Sequence, residues 1–255
     1  MAGLGVVAQL VGFVAQKILP QPNADNSSAI QNLRVGTYGE LAINGYLTKK
    51  HALAGEGSAF VTATTPGAAS VLFPIVTSYA NTAGCLFFQN ANAVGGPVAY
   101  LDYLKLTCYQ VPASTTQVGY AIIRELITNL AITTNHVTSV APVNTNGVSN
   151  VASKCNVLYQ NSATASVNGA PAVATGAVIG SGRLGGLPII GDELVIDFGG
   201  DASSAYGATS VASRKVSTAP AIAVPPGQQI MIVPWFVGNS ATGGTWDMEL
   251  VHFEL

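Results

Sequence analysis

Four carboxylates stand close together late in the chain and form its densest group of potential metal ligands. They are Asp192, Glu193, Asp197 and Asp201. Asp197 and Asp201 flank a Phe-Gly-Gly turn, and carboxylate oxygens are the ligands that Ca²⁺ prefers. The spacing does not match the EF-hand loop. We therefore keep Asp197 and Asp201 as a candidate calcium pair, beside the commoner alternative of a solvated loop neutralised by Arg214 and Lys215.

A glycine pattern, Gly180-x-Gly182-x-x-Gly185, follows an apolar run and matches the dinucleotide-binding fingerprint. Asp201 lies at the expected distance of about twenty residues further on. The fingerprint binds a pyrophosphate only if a helix begins at the glycines. Here the chain continues through Pro188 into a strand-like stretch, so we predict a glycine-rich loop and no cofactor.

The sequence contains no motif that indicates nucleophilic or metal-dependent catalysis. The sequence has neither a Gly-x-Ser-x-Gly elbow nor a His-Glu-x-x-His pair. His51, His136 and His252 are far apart, and we interpret each as a surface or packed histidine without a suitably spaced carboxylate. We predict no catalytic residue and no enzyme.

Three cysteines, Cys85, Cys108 and Cys155, cannot all pair within one chain. Cys85 and Cys108 lie in apolar, strand-like runs, so we expect buried free thiols that pack as small hydrophobic groups. One disulfide with a spare thiol is the alternative.

Short apolar runs bounded by Gly, Pro, Asn and Ser make up most of the chain and predict an all-β sandwich or barrel. In the run around Lys105, alternation places Leu104, Leu106 and Cys108 on one face, which we expect in the core. In the last run, we expect the face that carries Trp246, Met248 and Leu250 to be buried. Residues 122–130 are also assigned to a strand, because Ile and Thr outweigh the helical alternative.

The N-terminal segment has apolar residues at helical spacing, and Pro20 ends it. These residues are Val7, Leu10, Val11, Val14 and Ile18. We predict a helical arm over 1–19, a linker over 20–28 and a body over 29–255. No basic region precedes the apolar run, so we expect no secretory signal. The arm would pack on a neighbouring subunit or its own domain, or would lie against lipid.

Only 9% of the 255 residues are charged, against 49% hydrophobic, and the formal net charge is −2. Typical soluble domains carry about 25% charged residues. Disordered chains are rich in charge, so the composition excludes disorder. Proteins that bind nucleic acid carry a basic surplus, so we expect no nucleic-acid binding. The composition favours a β protein whose surface is largely covered by copies of itself.

The stretch 216–246 carries no charge and contains APAIAVPPGQQIMIVPWFVGN, in which a Pro-Pro-Gly turn leads into a long apolar strand. A polar Gly-rich loop then leads to a final aromatic strand, GGTWDMELVHFEL. With the charge-poor body, this resembles the closing strands of viral jelly-roll coat proteins. The resemblance implies an antiparallel jelly-roll sandwich, a capsid shell in the virion, and contacts with copies of itself and other virion proteins. It also implies lipid contact through the arm if the shell encloses a membrane. It transfers no catalytic residue, cofactor or specific nucleic-acid site.

Two points stay open from the sequence. A body of this length suits one jelly roll, which we favour, and two stacked rolls would be tight. The alternative function is a trimeric fibre, spike or carbohydrate-binding sandwich, in which Tyr79, Tyr206 and Trp235 would serve as sugar platforms. A bacterial surface or filament subunit is a third interpretation, and an enzyme is the last.

Overall fold

The computed structural model describes residues 33–35, 41–43, 53–73, 76–81, 83–111, 115–129, 132, 136–161, 177–184, 188–199, 214–238 and 244–255. The chain divides into two compact units, Met1–Ala52 and Leu53–Leu255. In the first unit, β1 (Leu33–Val35) pairs antiparallel with β2 (Leu41–Ile43). The predicted arm, with Val7, Leu10, Val11, Val14 and Ile18, lies outside the described residues.

The second unit is built almost entirely of strands. Their bounds are β3 Ala59–Ala63, β4 Val71–Leu72, β5 Leu86–Asn90, β6 Ala99–Gln110, β7 Thr115–Leu126, β8 Val137–Val140, β9 Val143–Asn144, β10 Cys155–Gln160, β11 Ala177–Leu184, β12 Glu193–Phe198, β13 Arg214–Ala219, β14 Ile222–Val224, β15 Gln228–Gly238 and β16 Thr245–Glu254. A 3-10 turn, Ile127–Asn129, follows β7. Among the described residues, no helix has the length and apolar character needed to cross a bilayer.

These strands form two sheets that pack as a sandwich. One has six strands in the order β11-β7-β15-β5-β10-β8. The other runs β13-β12-β6-β16-β3-β9, with β14 added beside β6 and β4 beside β16. The pairings are antiparallel except for β12 with β13, which are parallel. The prediction of an all-β sandwich is therefore confirmed.

The core lies between the sheets and takes alternate residues from each strand, because successive side chains in a strand point to opposite faces. Leu104, Leu106 and Cys108 are buried on β6, as predicted. Trp246, Met248 and Leu250 are buried on β16, which confirms the face chosen from the sequence. These rows form part of the apolar core between the sheets.

The six-stranded sheet is also covered on its outer face. There Phe87, Ile123, Met231 and Val233 form a second apolar cluster with Ala83. In β15, Ile230 and Ile232 face the inter-sheet core, whereas Met231 and Val233 face the outer cluster. Burial on both faces explains why residues 230–237 of β15 form a continuous apolar run instead of alternating.

The predicted glycine-rich loop was wrong for Gly180 and Gly182, which lie inside β11. Gly185 falls outside the described residues. A Cβ on Gly182 would come 2.7 Å from the Tyr120 hydroxyl oxygen, and one on Gly180 would come 3.2 Å from Ile122 Cδ1. The glycines are therefore explained by large cross-strand neighbours on β7, and the described part of the motif does not start a helix.

We predict that Leu104→Ala lowers the free energy of unfolding by about 2–5 kcal/mol, because Leu104 is fully buried and the change leaves a cavity. Leu126→Ala is the matched control, since Leu126 is 46% exposed and its truncation should cost about 1 kcal/mol or less. Urea unfolding followed by circular dichroism measures both values. Equal losses for the two variants would contradict the assignment of the core.

Candidate functional site

A buried group of three chemically capable side chains lies between the two sheets. Cys155 opens β10 in the six-stranded sheet, whereas His252 and Glu254 lie near the end of β16 in the other. Their ligand atoms are all within 4.8 Å of one another. Among the described residues, this is the only group of three or more His, Cys, Asp or Glu side chains close enough to hold one metal ion.

The alternation of β16 brings His252 and Glu254 to the same face. The inward row of Trp246, Met248 and Leu250 continues to His252, which is fully buried. The pairing of β16 with β6 shifts register between Val251 and His252. Irregularities of this kind re-aim side chains at the ends of strands. The polar pair is thus the end of the apolar row and lies in the same interior.

His252 is held by two aromatic rings and one carboxylate. Phe60 stacks on the imidazole with a centroid distance of 5.4 Å, and Phe88 meets it edge-on at 4.8 Å. Nε2 lies 3.3 Å from Oε1 of Glu254. Nδ1 is buried and has no hydrogen-bond partner. An orphaned buried polar atom of this kind is rare and needs a physical explanation.

Glu254 is bound by several donors, and its side chain is only 9% exposed. The Asn92 amide nitrogen lies 3.5 Å from its Oε2, and Asn90 accepts hydrogen bonds from the backbone and side chain of Asn92. Burial acts to raise the pKa of Glu254, but hydrogen bonds from His252, Ser153 and Asn92, together with the charge of His252, outweigh it. The pKa is therefore lowered from 4.5. The carboxylate stays ionised.

Cys155 is a buried thiol rather than a nucleophile. It is 2% exposed, and burial together with the nearby charge of Glu254 raises the pKa of the thiol well above its ordinary value. Its backbone N–H donates to Ser153 Oγ at 3.0 Å. Since the thiolate is the reactive form, this cysteine is inert toward acyl or disulfide chemistry in the protonated state.

The sequence reasoning missed this group. The prediction that no histidine has a suitably spaced carboxylate was wrong for His252. Glu254 lies on the same face of the strand, and its Oε1 is 3.3 Å from His252 Nε2. The His-x-Glu spacing was a visible signal once the last run had been assigned to a strand. No local signal pointed to Cys155, which reaches His252 only through the stacking of the sheets.

The residues proposed from the sequence lie elsewhere. Asp197 is half-buried on β12, and Asp201 lies outside the described residues. Within the described part of the chain, Asp197 belongs to no group of three potential metal ligands. The calcium pair therefore stays a prediction. Cys85 and Cys108 are buried free thiols, as expected, and Cys155 is also free and buried.

The described body is thus an all-β sandwich with a Cys/His/Glu group enclosed between its sheets. No family model, no curated protein and no solved structure matches the chain.

We predict that Glu254→Gln destabilises the protein most above pH 4.5 and progressively less below it. A carboxyl whose pKa is lowered on folding stabilises the folded state above its unfolded pKa, and this contribution is lost as pH falls through the folded pKa. Urea unfolding in chelator-treated buffer between pH 3 and pH 7 (roughly the range over which a carboxyl titrates) measures the difference from the wild type. A difference that grows as the pH falls would contradict the hydrogen-bonded carboxylate.

Proposed function

We propose that the chain is a structural, non-enzymatic subunit that assembles with copies of itself into a capsid shell. The observation that carries this proposal is the combination of a charge-poor sandwich with exposed apolar residues beside an uncharged sheet edge. The subunit would be a single jelly roll whose partners are its copies and other virion proteins.

Support for a single jelly roll comes from the pairing of the eight principal strands. The first pairs with the last (β3 with β16), the second with the seventh (β5 with β15), the third with the sixth (β6 with β12) and the fourth with the fifth (β7 with β11). All four pairings are antiparallel. This nesting is expected when one antiparallel ribbon winds round a core, as in jelly rolls of viral capsids and lectins.

Several of the few charged side chains are buried or hydrogen-bonded within the fold. Asp192 is fully buried and accepts a hydrogen bond from the Ile189 N–H, and Glu125 is 6% exposed. Asp247 accepts hydrogen bonds from the backbone N–H groups of Gly67 and Ala69. The surface is therefore poorer in free charge than the 9% in the sequence indicates. Low surface charge promotes association.

A segment that we call the valine turn, Val143–Val151, offers a contact surface for a second copy. Val143, Val148 and Val151 are 64%, 89% and 57% exposed. The turn carries no charge, and Asn144 closes it by donating to the Val151 carbonyl at 3.1 Å. Val143 lies in β9, the outermost strand of its sheet. An edge strand without charges is a template for pairing with another chain.

The alternative, a carbohydrate-binding sandwich, has one observation in its favour. Tyr79 is 41% exposed and meets Trp235 edge-on at a centroid distance of 5.9 Å. Trp235 is half-buried and lies over Gly119, where a Cβ would come within 2.3 Å of the indole. Tyr206, the third residue proposed as a sugar platform, lies outside the described residues. Lectins also use jelly rolls, so the strand order fits this alternative too.

We predict that the purified chain forms shells, or at least trimers and larger capsomers, and that Val143→Lys reduces the assembled fraction by about tenfold or more. A charge at a covered edge has to be desolvated, whereas the same change at Val94, which is 98% exposed on a separate loop, is the matched control. Light scattering and negative-stain microscopy measure assembly, and circular dichroism checks the fold.

A stable monomer that binds glycans, and loses binding in Trp235→Ala or Tyr79→Ala, would overturn the shell proposal and establish the alternative. A monomer that binds no glycan would overturn both. Assembly that Val143→Lys and Val94→Lys leave equally intact would exclude the valine turn as the contact.

We also predict that deletion of 1–19 impairs assembly and leaves the β spectrum unchanged, because the proposed arm joins subunits or contacts lipid outside the body. Sedimentation and circular dichroism of the shortened chain measure the two effects. Loss of the β spectrum would show instead that the segment belongs to the core of the subunit.

A further inference from the structure

We propose that Cys155, His252 and Glu254 bind a zinc ion that joins the two sheets of the sandwich. This inference is independent of the proposed shell function. Thiolate sulfur, imidazole nitrogen and carboxylate oxygen together form a donor set that zinc uses. Ca²⁺ and Mg²⁺ prefer oxygen ligands alone, so the cysteine and histidine select against them.

The distances suit a tetrahedral ion. The 3.3 Å between His252 Nε2 and Glu254 Oε1 is longer than the 2.7–2.9 Å or so that is usual for a charge-assisted hydrogen bond. Two ligands at about 2.0–2.2 Å from a tetrahedral zinc are themselves about 3.3–3.5 Å apart. The third ligand atom, Cys155 Sγ, lies within 4.8 Å of the other two. The three side chains supply three of the four ligands of a tetrahedral zinc.

The charges balance when zinc binds. A thiolate and a carboxylate contribute two negative charges, which neutralise the divalent ion, and imidazole binds zinc in its neutral form. Charged groups are tolerated in a buried, apolar environment when their charges neutralise one another, as those of the ion and its two anionic ligands would. Zinc would also reverse the high pKa of the Cys155 thiol, because a coordinating thiol is deprotonated.

The groups around the three ligands already orient them. Asn92 and Ser153 hold the Glu254 carboxylate, and Phe60 and Phe88 hold the imidazole ring. Outer contacts of this kind tune metal affinity. The imidazole is fully buried, and its Nε2 faces the Glu254 carboxylate, so this nitrogen is the one placed to bind the ion.

The position of the group gives the ion a structural role. Cys155 belongs to β10 of the six-stranded sheet, and His252 and Glu254 belong to β16 of the other. Zinc would therefore cross-link strands that share no hydrogen-bonded pairing, in a chain whose cysteines are all free. It would fasten the segment between β7 and β11 to the last strand of the fold.

The test uses the full chain, freed of metal with a chelator and titrated with Zn²⁺ and with Co²⁺. We expect one equivalent of Zn²⁺ to raise the melting temperature, and Co²⁺ to produce a thiolate charge-transfer band with the visible bands of a four-coordinate ion. In Cys155→Ala the charge-transfer band should disappear, and in Glu254→Gln zinc affinity should fall by about a hundredfold or more. Cys108→Ala, which removes a buried thiol elsewhere, should retain both signals.

Absence of a thiolate band and of zinc stabilisation in the wild-type chain would overturn the proposal without any variant. So would unchanged zinc affinity in Glu254→Gln, once circular dichroism shows that this variant of near-identical shape is folded. A thiolate band that persists in Cys155→Ala and disappears in Cys108→Ala would place the metal elsewhere. Assembly of the metal-free chain is scored separately, so failure here leaves the shell proposal standing.

Discussion

Burial of alternate side chains between the two sheets is the constraint on which the rest of the structure depends. Trp246, Met248 and Leu250 supply one row of this interior, and Leu104 and Ile122 supply others. The row on β16 ends in His252 and Glu254, whose side chains are also buried. Electrostatic interactions and hydrogen bonds are stronger in a buried, low-dielectric interior, and an unpaired polar group there destabilises the folded state more. The chemistry of the site therefore follows from the packing.

The scarcity of charge has two causes that the structure separates. Along β15 it reflects the fold of the single chain, since Ile232 faces the core while Met231 and Val233 belong to the outer apolar cluster. That stretch needs no neighbouring subunit to explain its composition. The valine turn differs, because its apolar side chains are exposed in the single chain. The case for self-assembly therefore rests on the turn and the adjacent sheet edge more than on the total count of charges.

The proposed contact between copies and the proposed zinc site lie at different places, but one segment of the chain contributes to both. Residues between β7 and β11 supply β8, β9 and β10, which extend both sheets beyond the eight principal strands. This segment carries the exposed turn near Val148 and, a few residues later, the buried Cys155. A metal that tied Cys155 to the last strand would stabilise the base of the surface that we assign to contacts between copies.

Alternation is a local property, so the sequence by itself determined the all-β class, most strands, and the buried faces of β6 and β16. It also placed His252 and Glu254 on one face once that strand was assigned. Only the tertiary structure decided which strands are neighbours. The proximity of Cys155 to His252 needs two sheets to stack, and the glycines of β11 are explained by Tyr120 and Ile122 on the paired strand. The physical reason is that a period of two along a strand specifies the direction of each side chain, whereas its partners come from residues distant in the chain.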